Sequence, residues 1–400
     1  MQITQPLVLP CGARLPNRIA KAAMSERLAG PDRRPTAELE TLYRRWSEGG
    51  AGLLITGNVM VDPAALGEPG NVVLDFQSDL APFRRWATAA KAAGNAVWMQ
   101  INHPGRQSPR TLSPYPVAPS AVALKGMGGA FAPPRALEAS EIEALVERFG
   151  ITAERAAEAG FDGVQIHGAH GYLISQFLSP HTNRRDDAWG GDPLRRQRFL
   201  LSIVEAIRRR VGPSFAVSVK LNSADFQRGG FSADESMGVV QALEGKGLDL
   251  LEISGGTYER PAMFAEEMKG AAASTRQREA FFLEYAEQVR SATRLPLMLT
   301  GGFRSQAAME GALASAIDVV GLARPLAVEP DLPSRLLTRA AIGAVPVKIH
   351  TGIQLIDSIL TGAWYQLQIQ RLARGLAVAP RLSRLRALAW YLRTTLRPKK

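Results

Sequence analysis

Short apolar runs alternate along this chain with longer stretches of amphipathic spacing. The runs Asn17–Met24, Gly52–Val61, Ala96–Asn102, Gly163–Gly168, Phe215–Asn222, Leu248–Ser254, Pro296–Gly301 and Ile317–Ala323 are each bounded by Gly, Pro, Asn or Asp. Continuous apolar runs of this length predict parallel strands buried on both faces. Between them, Thr36–Glu48, Ser140–Ala159 and Ala233–Glu244 carry helical spacing. Ser140, three residues before Glu143, predicts a capping box, and Gly160 a C-terminal stop. Eight β/α repeats predict an α/β protein of the (β/α)8 TIM-barrel type. An open doubly wound sheet is the alternative, but it needs fewer units.

The connections are unequal. Segments entering strands are tight, as at Ala93-Gly94-Asn95, whereas His103–Ala139, Ala169–Asp192 and Gly255–Arg276 leave strands as long loops. In a (β/α)8 barrel those loops rise together from the C-terminal face, where active sites lie. Ile3–Arg14, turning near Pro10-Cys11-Gly12, predicts an N-terminal β-hairpin that plugs the opposite end.

Charge changes the picture only at one end. The formal net charge is +11, yet Thr351–Lys400 holds nine Arg or Lys residues against Asp357 alone and so supplies +8 of it. A nearly balanced bulk argues against nucleic acid as a partner. The expected organisation is a barrel over residues 1–340 and a basic helical C-terminal extension over 341–400. Within that extension Leu382, Leu385, Leu388, Ala389, Leu392 and Leu396 fall within about a third of a helical wheel. Two readings of this stripe follow: it packs on the barrel or a sister subunit, or it rests on an anionic membrane surface. The first is favoured, because enzymes commonly dock C-terminal helices this way.

Cys11 is the only cysteine, so an intramolecular disulfide, a CxxC zinc site and a Cys-ligated cluster are excluded. No basic stretch followed by an apolar core opens the chain, and no run approaches the ~20 apolar residues that span a bilayer. The expectation is a cytoplasmic protein.

Candidate chemistry collects at predicted strand ends. His103 follows the third strand, and His167, His170 and Tyr172 lie within six residues after the fourth. Two chemistries could use them: a zinc hydrolase with His103, His167 and His170 as ligands, or hydrogen bonding to a substrate oxygen with Tyr172 as proton donor. Thr300-Gly301-Gly302-Phe303 and Gly321-Leu322-Ala323-Arg324-Pro325 follow strands seven and eight, where this fold holds phosphate. They favour a phosphorylated cofactor over zinc. Gly50-Ala51-Gly52 precedes a strand and is set aside as a dinucleotide fingerprint.

From about Leu7 to Pro330 the chain resembles the Old Yellow Enzyme family of FMN-dependent NAD(P)H:flavin oxidoreductases. The resemblance rests on Gly160–Pro180 with Asn183-Arg184 and Trp189-Gly190-Gly191, on Leu15–Ile19, on Gln100–Arg106, on Ser218–Asn222 and on the two phosphate loops. It implies that Ala23, Met24 and Ser25 line the flavin, with Ser25 near C4=O and N5. Ala23 stands where the family commonly has Pro, and Ser25 where it has Thr or Cys. It further implies that Gly57 touches the ring and that Gln100 meets the pyrimidine edge. Lys220 would stand beside N1 and C2=O, although pairing with Glu252 is its plainer use. Gly301, Gly302, Ala323 and Arg324 would hold the phosphate. The implied reaction is ping-pong: NADH or NADPH reduces the flavin and leaves, then hydride passes from N5 to an electron-poor alkene. His167 and His170 would hold the acceptor oxygen while Tyr172 delivers the proton. With one thiol and seventy residues after Pro330, the cysteine cluster and extra domains of dienoyl-CoA-reductase-like relatives are not expected. Nor is a membrane-associated protein with a vestigial site, since the three site residues are intact.

Overall fold

The computed structural model describes residues 1–125, 129–225, 227–254, 283–345, 347 and 354–396. Eight parallel strands close on themselves: β1 (Ile19–Lys21), β2 (Leu53–Ile55), β3 (Ala96–Asn102), β4 (Gly163–Gly168), β5 (Ala216–Asn222), β6 (Leu250–Ser254), β7 (Leu297–Thr300) and β8 (Val319–Leu322). Closure is made where Val320 of β8 faces Ile19 of β1 and Gly321 faces Ala20. Every strand therefore has two hydrogen-bonded neighbours and no open edge remains in the barrel. The (β/α)8 expectation holds.

Side-chain alternation sorts the core into layers. Outward residues such as Val164, Ile166, Val217 and Val219 pack under the helices, where Trp46, Trp86, Phe149 and Phe199 are fully buried. Inward, the bottom of the barrel is filled by Ala20, Leu53, Trp98, Ala216, Leu250, Met298 and Val319. Leu9 and Leu15 of the N-terminal hairpin, in which Leu7–Val8 pairs with Arg14–Leu15, close that layer from below. Gly12 turns the hairpin at φ 86, and the Cys11 N–H donates to the Asp249 carboxylate at 2.8 Å. The plug is thus as the sequence predicts.

Three local expectations are corrected. The run Gly52–Val61 is broken into Leu53–Ile55 and Val59–Met60 at Gly57, and the second piece pairs with the top of β3. The helix predicted from Ser140 begins at Ala139 with Glu138 as its cap, because Glu138 still has extended backbone while Ser140 is already helical. Glu141, not Glu143, accepts the Glu138 N–H at 2.9 Å, and the Arg135 guanidinium beside it holds its carboxyl down at about 2. The long loop Gly255–Arg276 lies outside the described residues.

The third correction concerns the tail. Helix Gln354–Ala373 packs on helix Ala37–Glu48 and on the Arg324–Ala327 turn, and helix Arg384–Leu396 packs on it in turn. The second helix docks through Ala387, Leu388 and Tyr391 against Leu360, Ala363 and Trp364. Leu385 and Leu392 of the predicted stripe are 75% and 45% exposed. The small Ala387 side chain lets the backbones approach, so the contact face centres on Ala387 and takes in Leu382 and Leu388 of the predicted stripe while leaving Leu385 and Leu392 outside it. No helix among the described residues is long and apolar enough to cross a membrane.

Candidate active site

Above the apolar plug the barrel interior turns polar, on the same period-2 alternation. Gln100 Nε2 donates to Gln165 Oε1 at 2.8 Å, and Gln165 Nε2 donates to Glu252 Oε2 at 2.8 Å. Lys220 Nζ lies 2.9 Å from Glu252 Oε1, with both side chains at least 95% buried. The pairing of Lys220 with Glu252 is therefore present, and it compensates two charges that could not be buried singly. Asn102 stands on the same face as Gln100, and both atoms of its amide are buried without a hydrogen-bond partner. Orphaned amides of this kind are rare in a finished interior and mark where a ligand supplies the missing bonds.

One layer higher, His167 stands next to last on β4, and the loop that follows brings back His170 and Tyr172. The rings of His167 and His170 lie 5.0 Å apart, and those of His167 and Tyr172 4.8 Å apart, each pair edge to face. The predicted cluster is therefore assembled. Burial and the positive charge of Lys220 push both imidazoles well below their ordinary pKa, so they are neutral at pH 7. The Ala169 N–H donates to His167 Nδ1 at 3.3 Å, which leaves the neutral ring's proton on Nε2 as a donor. His170 takes a left-handed backbone, φ 61, fixed by its N–H on Asn222 Oδ1 (3.2 Å) and its carbonyl under Gln107 Nε2 (3.0 Å). Its Nε2 lies 2.7 Å from Ser254 Oγ. Asn222 and Ser254 close β5 and β6 and were not singled out from sequence; counting by twos from Lys220 and Glu252 reaches both.

His103 does not join this cluster. Its Nδ1 accepts the Gly105 N–H at 3.1 Å, and its ring lines a separate cavity of about 250 Å3 with Asp62, Glu141 and Arg148. There burial lowers its pKa to about 4 against the attraction of Asp62. The odd position after Asn102 turns it outward, toward helix Ala139–Glu158. Among the described residues no three His, Cys, Asp or Glu side chains come together as a metal-ligand set. The alternative zinc triad of His103, His167 and His170, disfavoured by the phosphate loops, is thus not formed.

The loop after β1 carries Ala23, Met24 and Ser25. Ser25 Oγ donates to Glu68 Oε1 at 2.5 Å. Glu26, 7% exposed, takes the Gly57 N–H at 2.9 Å, a hydroxyl bond from Tyr43, and the Lys21 ammonium 3.6 Å away. A Cβ on Gly57 would overlap the Glu26 carboxylate and the Met24 carbonyl, so glycine is demanded by this close approach. That approach also explains the broken second strand. Lys21 lies 4.4 Å over the Trp46 ring, and its burial lowers its pKa to about 8 despite Glu26.

At the other end of the mouth, Thr300 of β7 faces Gly321 of β8, which sets the two predicted phosphate loops side by side. Gly301 and Gly302 follow with φ 131 and 77, and a Cβ on Gly301 would meet nothing within 4 Å. Thr300 Oγ1 is buried without a partner beside them. Ala323, its side chain free of any required hydrogen bond, caps the Arg324–Ala327 turn. An open glycine cradle, an orphaned hydroxyl and the Arg324 guanidinium fit a phosphate, and the amide and ammonium groups further in fit the edge of a flavin ring.

A mouth of this kind accommodates a flat phosphorylated redox ring, which places the protein among flavin-dependent barrel oxidoreductases. The chain belongs to the NADH:flavin oxidoreductase / NADH oxidase family, whose model matches residues 3–341. FMN is accordingly its cofactor and NADH its reductant. An NADH-dependent flavin oxidoreductase, iliE, of Hypocrea jecorina (strain QM6a) is 39% identical over 353 residues, covering 83% of this chain and 88% of that one. An NADH oxidase of Thermoanaerobacter brockii is 34% identical over 323 residues, covering 80% of this chain and 48% of its own. Among solved structures, morphinone reductase in complex with tetrahydroNAD superposes with a TM-score of 0.69 at 28% identity, covering 86% of this chain and 92% of that one.

Proposed function

We propose that the protein reduces electron-poor alkenes, such as α,β-unsaturated carbonyls, nitroalkenes or quinone-like acceptors. The observation that carries this reading is the packing of the His170 imidazole and the Tyr172 phenol around the His167 ring, 5.0 and 4.8 Å from it, on the lip of the barrel. Bound FMN supplies the hydride relay between NADH and the acceptor. In this reading Ala23, Met24, Ser25 and Gly57 line the ring, and Gln100 and Lys220 meet its pyrimidine edge. Gly301, Gly302, Ala323 and Arg324 take the phosphate. His167 and His170, held neutral, donate hydrogen bonds to the acceptor oxygen without placing a full positive charge on it. Those bonds strengthen as negative charge develops there, so they act on the transition state more than on the bound substrate. Tyr172 holds its phenolic proton at the neighbouring position and delivers it to the α-carbon. The Asn102 amide adds donor and acceptor capacity on the same side.

The test is anaerobic reduction of the purified holoprotein by NADH, followed by mixing with enones, nitroalkenes and quinones. Reoxidation by alkenes with formation of the saturated product is expected. Reoxidation by quinones alone, with every alkene returned unchanged, would remove the alkene reading while leaving the flavin chemistry standing.

A further inference from the structure

The C-terminal extension lies beyond the residues that the family model matches, yet it touches the flavin-side loop directly. Gln366 Nε2 and Gln370 Nε2, one turn apart on helix Gln354–Ala373, both donate to the Glu26 carbonyl, at 2.7 and 3.0 Å. The carboxylate of that same residue takes the Gly57 N–H. The next helix grips the next residue: Arg27 Nη2 donates to the Thr394 carbonyl at 3.4 Å, and its guanidinium lies 5.3 Å from the Tyr391 ring centre. Arg27 has φ 58, a left-handed backbone that a non-glycine residue keeps only when its surroundings over-determine it. Gly70 presses on it from below, where a Cβ would come within 2.8 Å of the Arg27 carbonyl. Arg27 Nε also lies 4.0 Å from Glu68, the acceptor of the Ser25 hydroxyl. Two routes therefore run from the tail to Glu26 and Arg27, the residues that directly follow Ser25.

We infer that the two C-terminal helices are a clamp whose positioning residues, Gln366, Gln370 and Tyr391, fix the loop 23–27 and thereby the stance of the Ser25 hydroxyl. The inference rests on the reading that Ser25 faces the flavin. Helix Gln354–Ala373 also packs on the Arg324–Ala327 turn, so one element spans the loop at the ring end and the turn at the phosphate end. Loosening it affects both the hold on FMN and the electronic setting of the ring.

The experiment uses the full-length holoprotein with Gln366→Leu/Gln370→Leu, Tyr391→Ala and Ser25→Ala. The readouts are midpoint potential against reference dyes, release of FMN on dilution by fluorescence, and thermal unfolding. For the glutamine pair we expect at least fivefold faster FMN release. We also expect a lower midpoint potential, by about tenfold in the reduction equilibrium, or ~30 mV for a two-electron couple. Tyr391→Ala moves the potential in the same direction by less. In a Ser25→Ala background the glutamine pair no longer moves the potential, as coupled residues behave in a double-mutant cycle. A lowered melting point with unchanged potential and FMN release reduces the contacts to packing and overturns the clamp. So does a potential that moves in Ser25→Ala but not in the glutamine pair. A potential unmoved by Ser25→Ala itself overturns the placement of Ser25 beside the ring, and the clamp with it. If the glutamine pair does not fold, an unchanged potential in Tyr391→Ala overturns the proposal, and a lowered one supports it.

Discussion

His170 follows β4 and Arg27 follows β1, and both are non-glycine residues in left-handed backbone, φ 61 and 58. Their supports differ. His170 is pinned by side chains closing the adjacent part of the barrel, Asn222, Ser254 and Gln107, and it sits three residues from His167 and two from Tyr172. Arg27 and its neighbour Glu26 are pinned by Gly57, Tyr43, Gly70 and a tail as much as 367 residues away. On the β4 side, covalent neighbours form the cluster to which the chemistry is assigned in our proposal, and the barrel orients them. On the β1 side, the chain's distant parts converge to hold a loop whose own residues carry little reactivity. Changes on the first side should abolish a chemical step, and changes on the second should shift binding and potential by degrees.

The largest effect expected is from Tyr172→Phe. If Tyr172 delivers the proton, the alkene half-reaction slows by roughly 10²–10⁴-fold, the usual worth of a positioned general acid. Reduction of the flavin by NADH, which needs no such proton, stays within about twofold. Stopped-flow measurement of the two half-reactions separates them. Equal slowing of both would make Tyr172 a packing residue and erase the contrast between the two sides.

Acid should probe the buried histidines at the ends of β3 and β4, and alkali the β1 side. Native His103 titrates near 4, whereas in the unfolded chain it titrates near 6.5. Between those values the unfolded state binds a proton that the native state refuses, so stability falls as pH drops from 6.5 to 4, by up to about 3 kcal/mol from this residue. His167 and His170, depressed in the same direction, add to the slope. Lys21 on the β1 side works at the other end: with a native pKa of about 8 against 10.5 unfolded, it makes stability rise with pH from 8 toward 10. Above 10 the raised pKa of Tyr43 opposes it. Urea unfolding across this range should show the acid slope flattened in His103→Gln and the alkaline rise unaffected there.

Gly57→Ala tests the convergence on Glu26. The added methyl overlaps the Glu26 carboxylate and the Met24 carbonyl, both held from several directions. Overpacking of this kind costs about 1–3 kcal/mol. The expected result is weaker FMN retention with the Tyr172-dependent half-reaction intact in whatever fraction stays loaded. Retention equal to that of the parent protein would mean that the loop is looser than its contacts imply.

Legibility follows the same division. His167, His170 and Tyr172 could be read because six residues of strand and turn bring them together whatever the rest of the chain does. The glycines at 301 and 302 could be read because their place after the seventh strand has a known use in this fold. Glu26 could not, since its partners Tyr43, Gly57, Gln366 and Gln370 share no spacing with it, and a lone acid in a loop looks like a solvated charge. His103 is set apart from His167 and His170 by a single step of the alternation: Gln100 and Asn102 face the mouth, so the odd position faces the helices. Ala96–Asn102 and Gly163–Gly168 match their strands end to end, whereas Asn17–Met24 and Gly52–Val61 extend past theirs, because the flanking residues belong to loops that pack on the barrel ends.

The smallest effect concerns the leucines of the tail. Hydropathy spacing puts Leu382, Leu385, Leu388, Ala389, Leu392 and Leu396 on one docking face, but contact is made through Ala387 and Tyr391 with only Leu382 and Leu388 of that stripe. Leu385 and Leu392 are left with Arg384, Arg386 and Arg393 on the exposed side of the helix. Exposed substitutions away from special features usually change stability by no more than about 0.5 kcal/mol. Leu385→Ser/Leu392→Ser should therefore leave the melting point nearly unchanged, whereas Ala387→Leu, which must push the helix off Leu360, Ala363 and Trp364, should lower it. If the serine pair destabilised the protein as much as Ala387→Leu, the leucines would be buried in solution, against a sister subunit. The assembly's size by light scattering would then fall with the same substitutions. An unchanged size and melting point would leave Leu385 and Leu392 as an exposed apolar strip between arginines, with the helix held by its Ala387 face alone.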